Sequence, residues 1–186
     1  MSVKKLFVAF PIGEPWKRLL SDHLVLLKAC KGFRPTSPSN LHVTLFYLGQ
    51  VKASVVADLS HGLQFFFRDQ KQFSLYFQDT CLMPSLSSPE MLWIRFERSD
   101  RFLELHHSVK DVVSGYLLQH SGFSRDPIPH ITLSRIANKT SVDHLPAFQS
   151  HEVFRISTAC LYESHRVGDV LTYTPLECFE MNRGII

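Results

Sequence analysis

The sequence lacks a C-x-x-C pair: Cys30, Cys81, Cys160 and Cys178 are widely scattered, which removes the common redox and zinc-ribbon spacings. It also lacks a phosphate-binding glycine loop, either G-x-x-x-x-G-K-[ST] or G-x-G-x-x-G, so no standard nucleotide-binding loop is encoded. No apolar run approaches the length that spans a bilayer, and no signal-peptide core precedes the first strand-like segment. The expectation is a cytoplasmic protein without a membrane partner, its cysteines reduced and packed inside. Metal-ligand spacing is missing too. His106 and His107 are neighbours on a helix and point apart, so they form no i,i+4 pair. Neither a metal nor a cofactor is expected. Strong charge of one sign is also absent: a net charge of +3 and a pI near 8.7 suit an anionic ligand without requiring one.

What is present is an ordinary globular composition, 45% apolar and 20% charged over 186 residues, which fits a single domain spanning 1–186. Fifteen phenylalanines suit a sheet-containing core with aromatic cross-strand pairs. Residues 4–10 read as a strand stopped by Pro11, and Pro15 opens a helix whose apolar residues recur from Trp16 to Leu27. Residues 34–40 form a loop by their turn chemistry, and 41–48 a strand closed by Gly49. A second helix covers 54–67 and a strand 73–77, followed by a surface loop at 83–90. The plan then repeats: strand 91–96, helix 101–119, loop 121–129, strand 129–135. Two closing strands, 151–162 and 170–180, form a hairpin turned at 166–169. Strand, helix, polar loop, strand therefore occurs twice, which implies two related lobes facing each other.

The last strand of each repeat carries one pattern, His42-Val43-Thr44-Leu45 and His130-Ile131-Thr132-Leu133. Side chains two apart on a strand share a face, so each histidine projects beside its threonine while the intervening residues enter the core. Two imidazoles facing across a cleft suit displacement at phosphorus. One deprotonates a water and the other protonates the leaving oxygen, and histidine is the side chain whose ordinary pKa permits both states near pH 7. The threonine hydroxyls can donate to the phosphate oxygens. A lone His-x-Thr is more often a satisfied core or edge histidine than a catalyst, and about 0.4 matches are expected by chance. Two copies at matching places in a repeated plan are harder to dismiss.

The stretch Asn40-Leu41-His42-Val43-Thr44-Leu45-Phe46-Tyr47-Leu48-Gly49 closely resembles the first signature of the bacterial RNA 2′,3′-cyclic phosphodiesterases, formerly called 2′-5′ RNA ligases. These belong to the two-histidine (2H) phosphoesterase superfamily. Pro129-His130-Ile131-Thr132-Leu133-Ser134-Arg135 resembles their second signature. The opening strand, Arg34 and the segment Leu171-Thr172-Tyr173-Thr174-Pro175-Leu176 are similar as well, so the resemblance covers nearly the whole chain. It implies a bilobal α+β fold, with two pseudo-symmetric lobes, each an antiparallel-type sheet with outer helices, around a central cleft. It implies metal-independent hydrolysis of an RNA 2′,3′-cyclic phosphate end to a 2′-phosphate, on tRNA fragments or nucleotides, with 2′-5′ ligation as the reverse. His42 is then the proton donor, His130 the proton acceptor, and Thr44, Thr132 and Arg135 bind substrate.

Strict alternation puts Arg135 on the face opposite His130, so it reaches the cleft only if the strand ends, twists or bulges. By the same parity Phe46 shares the face of His42, where it could stack on a base, although core packing is the commoner role for it and for Tyr47. Two other readings stay open: a phosphodiesterase acting on small cyclic nucleotides or 2′-5′ oligonucleotides, and a non-catalytic module binding RNA ends. A monomer is expected in each case.

Overall fold

An unbroken apolar run from Leu6 to Phe10 is buried on both faces, which marks β1 (Val3–Pro11) as an interior strand. The computed structural model describes residues 2–85, 89–118, 126–137 and 147–183. With Glu14 and Pro15 in its first turn, α1 (Glu14–Ala29) follows, then the short β2 (Phe33–Pro35) and β3 (His42–Lys52). Next come α2 (Val56–Arg68), β4 (Phe73–Leu75), β5 (Phe77–Pro84), β6 (Pro89–Phe96) and α3 (Asp100–Val113). Ser99 caps α3 by accepting a hydrogen bond from the Phe102 N–H. The chain ends in β7 (His130–Ile136), β8 (Phe154–Ile156), β9 (Thr158–Val167) and β10 (Val170–Glu180).

The main sheet runs β10-β9-β1-β3-β7-β6-β5, with β2 also paired to β7, and every pairing is antiparallel. It divides at its middle, where β3 and β7 meet through one pair, Val43 with Ile131. That α+β, two-halved architecture is the one expected. Val43, Ile131 and Leu133 share a core cluster with Leu20 of α1, Leu63 of α2 and Leu105 of α3, so the helices cover one face of the sheet. The other face carries a smaller cluster of Phe7, Ala9, Cys160 and Tyr162.

The two halves share a local irregularity. In β1 against β3, Val8 pairs with Phe46 and Ala9 with Thr44, leaving Leu45 as an extra residue. In β6 against β7, Leu92 pairs with Ser134 and Trp93 with Thr132, leaving Leu133 extra. Each bulge therefore falls one residue after the threonine and shifts the alternation by one. Burial follows: Leu45 and Phe46 are successive buried residues with Tyr47 exposed, as Leu133 and Ser134 are with Arg135 exposed.

Several expectations are corrected. Phe46 packs in the core as its commoner role requires, 2% exposed, but the bulge reverses the parity that set it on the face of His42, and Tyr47, expected in the core as well, is 40% exposed. Gly49 does not close β3; with φ of 72° it sits at a second bulge, where Leu48 is extra against β1. The 34–40 loop contains β2 and a 3₁₀ turn, Pro38–Asn40. The helix expected over 101–119 leaves α-geometry after Val113. Residues 119–125 of that helix and the following loop lie outside the described residues. Cys160 and Cys178 are not free thiols: they face each other across β9 and β10, 4.0 Å apart at Cα, and are joined as a disulfide. Cys30 and Cys81 are free. Among the described residues no helix is long and apolar enough to cross a membrane.

The seam between halves depends on packing at Val43 and Ile131, both 0% exposed. Ile131→Ala is expected to lower unfolding free energy by about 2–5 kcal/mol in urea denaturation. A loss below about 1 kcal/mol would contradict a closely packed seam.

Candidate active site

The one backbone pair between β3 and β7 joins the middle residues of the two His-x-Thr segments. One step either way along that antiparallel register sets His42 beside Thr132 and Thr44 beside His130. The histidines thus occupy diagonal corners of a four-residue patch, and all four side chains line one cavity of about 410 Å³.

Each imidazole is oriented in the same way. His42 donates Nδ1–H to the Asn40 carbonyl and His130 donates Nδ1–H to the Ile128 carbonyl, both at 2.7 Å and both two residues upstream. A carbonyl only accepts, so each neutral ring carries its proton on Nδ1 and has its lone pair on Nε2. The Thr44 hydroxyl donates to Nε2 of His42 at 2.9 Å. Among the described residues no group hydrogen-bonds Nε2 of His130.

Aromatic rings hold both histidines. Phe7 lies against His42 at 4.9 Å between centroids, and Tyr173 meets it edge-on at 5.2 Å. Trp93 stacks on His130 at 3.6 Å. Such walls strip water from the rings and disfavour their charged forms. Burial pushes His42 down to about 4, opposed by its bond to Asn40 and reinforced by the nearby His130. Burial also lowers His130, against the pull of the Ile128 carbonyl.

One flank of the cavity is cationic. Arg34 and Arg135 are a cross-strand pair between β2 and β7, and both line the cavity. The bulge at Leu133 is what returns Arg135 to the face of His130. Neither arginine has a carboxylate partner among the described residues, and like charges directly opposite on a sheet repel. The pair is suited to an anion held between the two guanidiniums.

All five residues singled out from sequence, His42, Thr44, His130, Thr132 and Arg135, line this cavity. Sequence reasoning missed what supports them. Asn40 clamps β10, donating to the Leu171 carbonyl at 2.8 Å and accepting from the Tyr173 N–H at 3.1 Å. Thr36 donates its hydroxyl to the Thr132 carbonyl and its N–H to the Leu133 carbonyl, each at 2.8 Å. No spacing rule marks either residue, since both act through backbone far off in sequence. Trp93 pairs with Thr132 as Ala9 pairs with Thr44, so the repeat itself gave no hint of an aromatic there. Among the described residues no group of three or more His, Cys, Asp or Glu side chains is placed to hold a metal ion.

Comparison with known proteins identifies the family and the fold. The family model of the 2′-5′ RNA ligase superfamily matches residues 14–168. An RNA 2′,3′-cyclic phosphodiesterase of Thermotoga maritima is 29% identical over 136 residues, 71% of this chain and 70% of that protein. A Thermus thermophilus protein of known structure superposes with a TM-score of 0.83 at 23% identity, covering 96% of this chain and 98% of its own. E. coli LigT, solved with 3′-AMP, gives 0.79 at 22% identity, over 98% of this chain and all, 100%, of that one. The likenesses to solved structures establish the fold.

Two consequences of the buried imidazoles are measurable. Between pH of about 4 and 6.5 the unfolded chain binds the His42 proton and the folded one does not, so stability falls as pH drops through that window. The loss over the full window is on the order of 3 kcal/mol. In proton NMR titration, the His42 ring is expected to titrate well below 6.5 in phosphate-free buffer, and inorganic phosphate is expected to raise the midpoints of both site histidines. A His42 midpoint at or above the ordinary value without phosphate would overturn this electrostatic account.

Proposed function

Since the chain belongs to the 2′-5′ RNA ligase superfamily, we propose that it opens 2′,3′-cyclic phosphate ends of RNA to 2′-phosphates, with His42 and His130 as acid and base. The observation that carries this reading is the matched pair of imidazoles in one cavity, each tied at Nδ1 to a backbone carbonyl and presenting Nε2. The activity named for the curated relatives supports the substrate class. All site groups come from one chain, read here as a single two-lobed domain.

The cyclic phosphate enters as an anion between the four motif side chains. Its negative charge favours protonation of an imidazole, reversing part of the burial effect, so substrate binding draws one proton into the site. His130, whose Nε2 lone pair has no protein donor among the described residues, takes a proton from the attacking water. His42, protonated at Nε2, gives its proton to the ribose 3′ oxygen. The new P–O bond forms from water as the P–O3′ bond breaks, and the 2′ ester remains. Thr44 and Thr132 donate to the non-bridging oxygens as charge moves onto them. Arg34 and Arg135 bind the phosphate and its neighbouring strand through fork-shaped donors. Proton transfer and hydrogen bonding complete the step without a metal. With a 5′ hydroxyl attacking in place of water, the same transfers in the same direction make a 2′-5′ bond, and their reversal breaks one.

Following phosphorus NMR of adenosine 2′,3′-cyclic phosphate in EDTA tests this directly. His42→Ala and His130→Ala are each expected to lower turnover by about 10²–10⁴ while leaving the far-ultraviolet spectrum unchanged. The rate should be bell-shaped in pH, since one imidazole must be charged and the other neutral. Full turnover by either variant would sink the assignment, and binding of the intact protein without turnover would favour a module that only holds RNA ends.

A further inference from the structure

On the flank opposite Arg34 and Arg135 lies a second cavity, about 310 Å³, lined by Tyr47, Met83, Trp93, His106, Pro127 and Ile128. Thr44 and His130 line it as well, so it opens directly onto the reacting centre. We propose that this cavity receives the base of a second nucleotide, stacked on Tyr47 and hydrogen-bonded by His106. The proposal rests on the RNA reading of the neighbouring site.

Three features point to a base rather than a phosphate or sugar. The walls are apolar and aromatic, and no arginine or lysine is among them; the one charged lining residue, Asp126, is an acid and repels an anion. Tyr47 and Ile128 are 40% and 44% exposed, which offers flat apolar surface beside a site for a nucleic acid. Tyr47 reaches this side only because the bulge at Leu45 turns it out of the core. Finally, the cavity contains one buried polar side chain. His106, 8% exposed, donates Nδ1–H to the carbonyl of that same bulge residue, Leu45, at 2.7 Å. The bond fixes the neutral tautomer and leaves Nε2 as an acceptor for a base amino or imino group. Burial, which lowers the affinity of His106 for a second proton, favours the same form.

The base of a second nucleotide there has two possible origins. It belongs either to the nucleotide on the 5′ side of the cyclic phosphate, or to the nucleoside joined through its 5′ oxygen in a 2′-5′ link. Both are tested by deleting the base. The kcat/KM of the protein is measured on a dinucleotide ending in a 2′,3′-cyclic phosphate and on a 2′-5′-linked dinucleotide, each with the second base present or replaced by an abasic ribose. Loss of the base is expected to lower kcat/KM by about tenfold in one of the two pairs, which identifies the origin. Tyr47→Ala is expected to abolish that dependence, bringing the ratio near one. Equal rates with and without the base in both pairs, or a dependence that survives Tyr47→Ala, would overturn the proposal while leaving the phosphodiesterase reading intact. Absence of turnover on every substrate would overturn that reading and this proposal together.

Discussion

The geometry of the site depends on two extra residues, Leu45 and Leu133, inserted one place after each threonine. Before each bulge, the strand presents histidine and threonine to the cleft and buries the residue between them. After it, an unbroken alternation would turn Phe46 and Ser134 into the cleft and Tyr47 and Arg135 into the core. A guanidinium and a phenol buried there would cost several kcal/mol of lost hydration. The bulges exchange these positions, so Phe46 and Ser134 stay inside, the serine hydroxyl bonded to the Arg135 carbonyl, while Tyr47 and Arg135 face outward. Because a bulge leaves its own carbonyl outside the ladder, each needs an external donor. His106 from α3 supplies one and the Thr36 backbone N–H supplies the other. The seam, the helix layer and the cleft are therefore coupled through two carbonyl oxygens.

The electrostatics follow from the same frame. Strands that bring two imidazoles together among aromatic rings also desolvate them, and neutral rings result. The nearby arginine pair does nothing to favour their protonation and makes the cleft electropositive. An anionic ligand offsets both conditions at once: it supplies negative charge to the two guanidiniums and makes a protonated imidazole favourable. In the proposed mechanism the ligand thus favours the pair of one charged and one neutral imidazole that burial alone disfavours.

Much of this was legible in the sequence, and the boundary of legibility has a physical cause. The duplicated His-x-Thr segments, the strand–helix order and the closing hairpin around Gly168 all arise from local periodicity, which a sequence displays directly. The bulges do not, because a bulge is a mismatch between two strands and neither strand alone encodes it. Hence strict parity sets Phe46 on the wrong face even though core packing is its commoner role, Tyr47 is exposed where a core role is expected, and Arg135 reaches the cleft only through an irregularity. The support from Asn40 and Thr36 was hidden for a related reason: each binds backbone atoms more than ninety residues away, where side-chain identity leaves no trace. The disulfide was missed because cross-strand adjacency of Cys160 and Cys178 depends on the register of β9 and β10, which shifts by one residue between Pro175 and Glu177.

The approximate two-fold raises a last question, how a nearly symmetric pair of motifs acts on an asymmetric substrate. The motifs themselves offer little distinction, since both rings are fixed at Nδ1 by the same kind of bond. What differs is the surroundings. His42 is enclosed by Phe7 and Tyr173 and capped by Thr44, whereas His130 stacks on one indole and keeps its Nε2 free of protein donors among the described residues. The flanks differ more: two arginines border one side and an apolar, aromatic cavity the other. A ribose phosphate entering this cleft meets cations in one direction and flat apolar surface in the other, so its orientation is chosen by the flanks. Orientation then decides which imidazole faces the leaving oxygen. In the proposed mechanism the roles of acid and base are thus set less by the duplicated motifs than by the parts of the fold that were not duplicated faithfully.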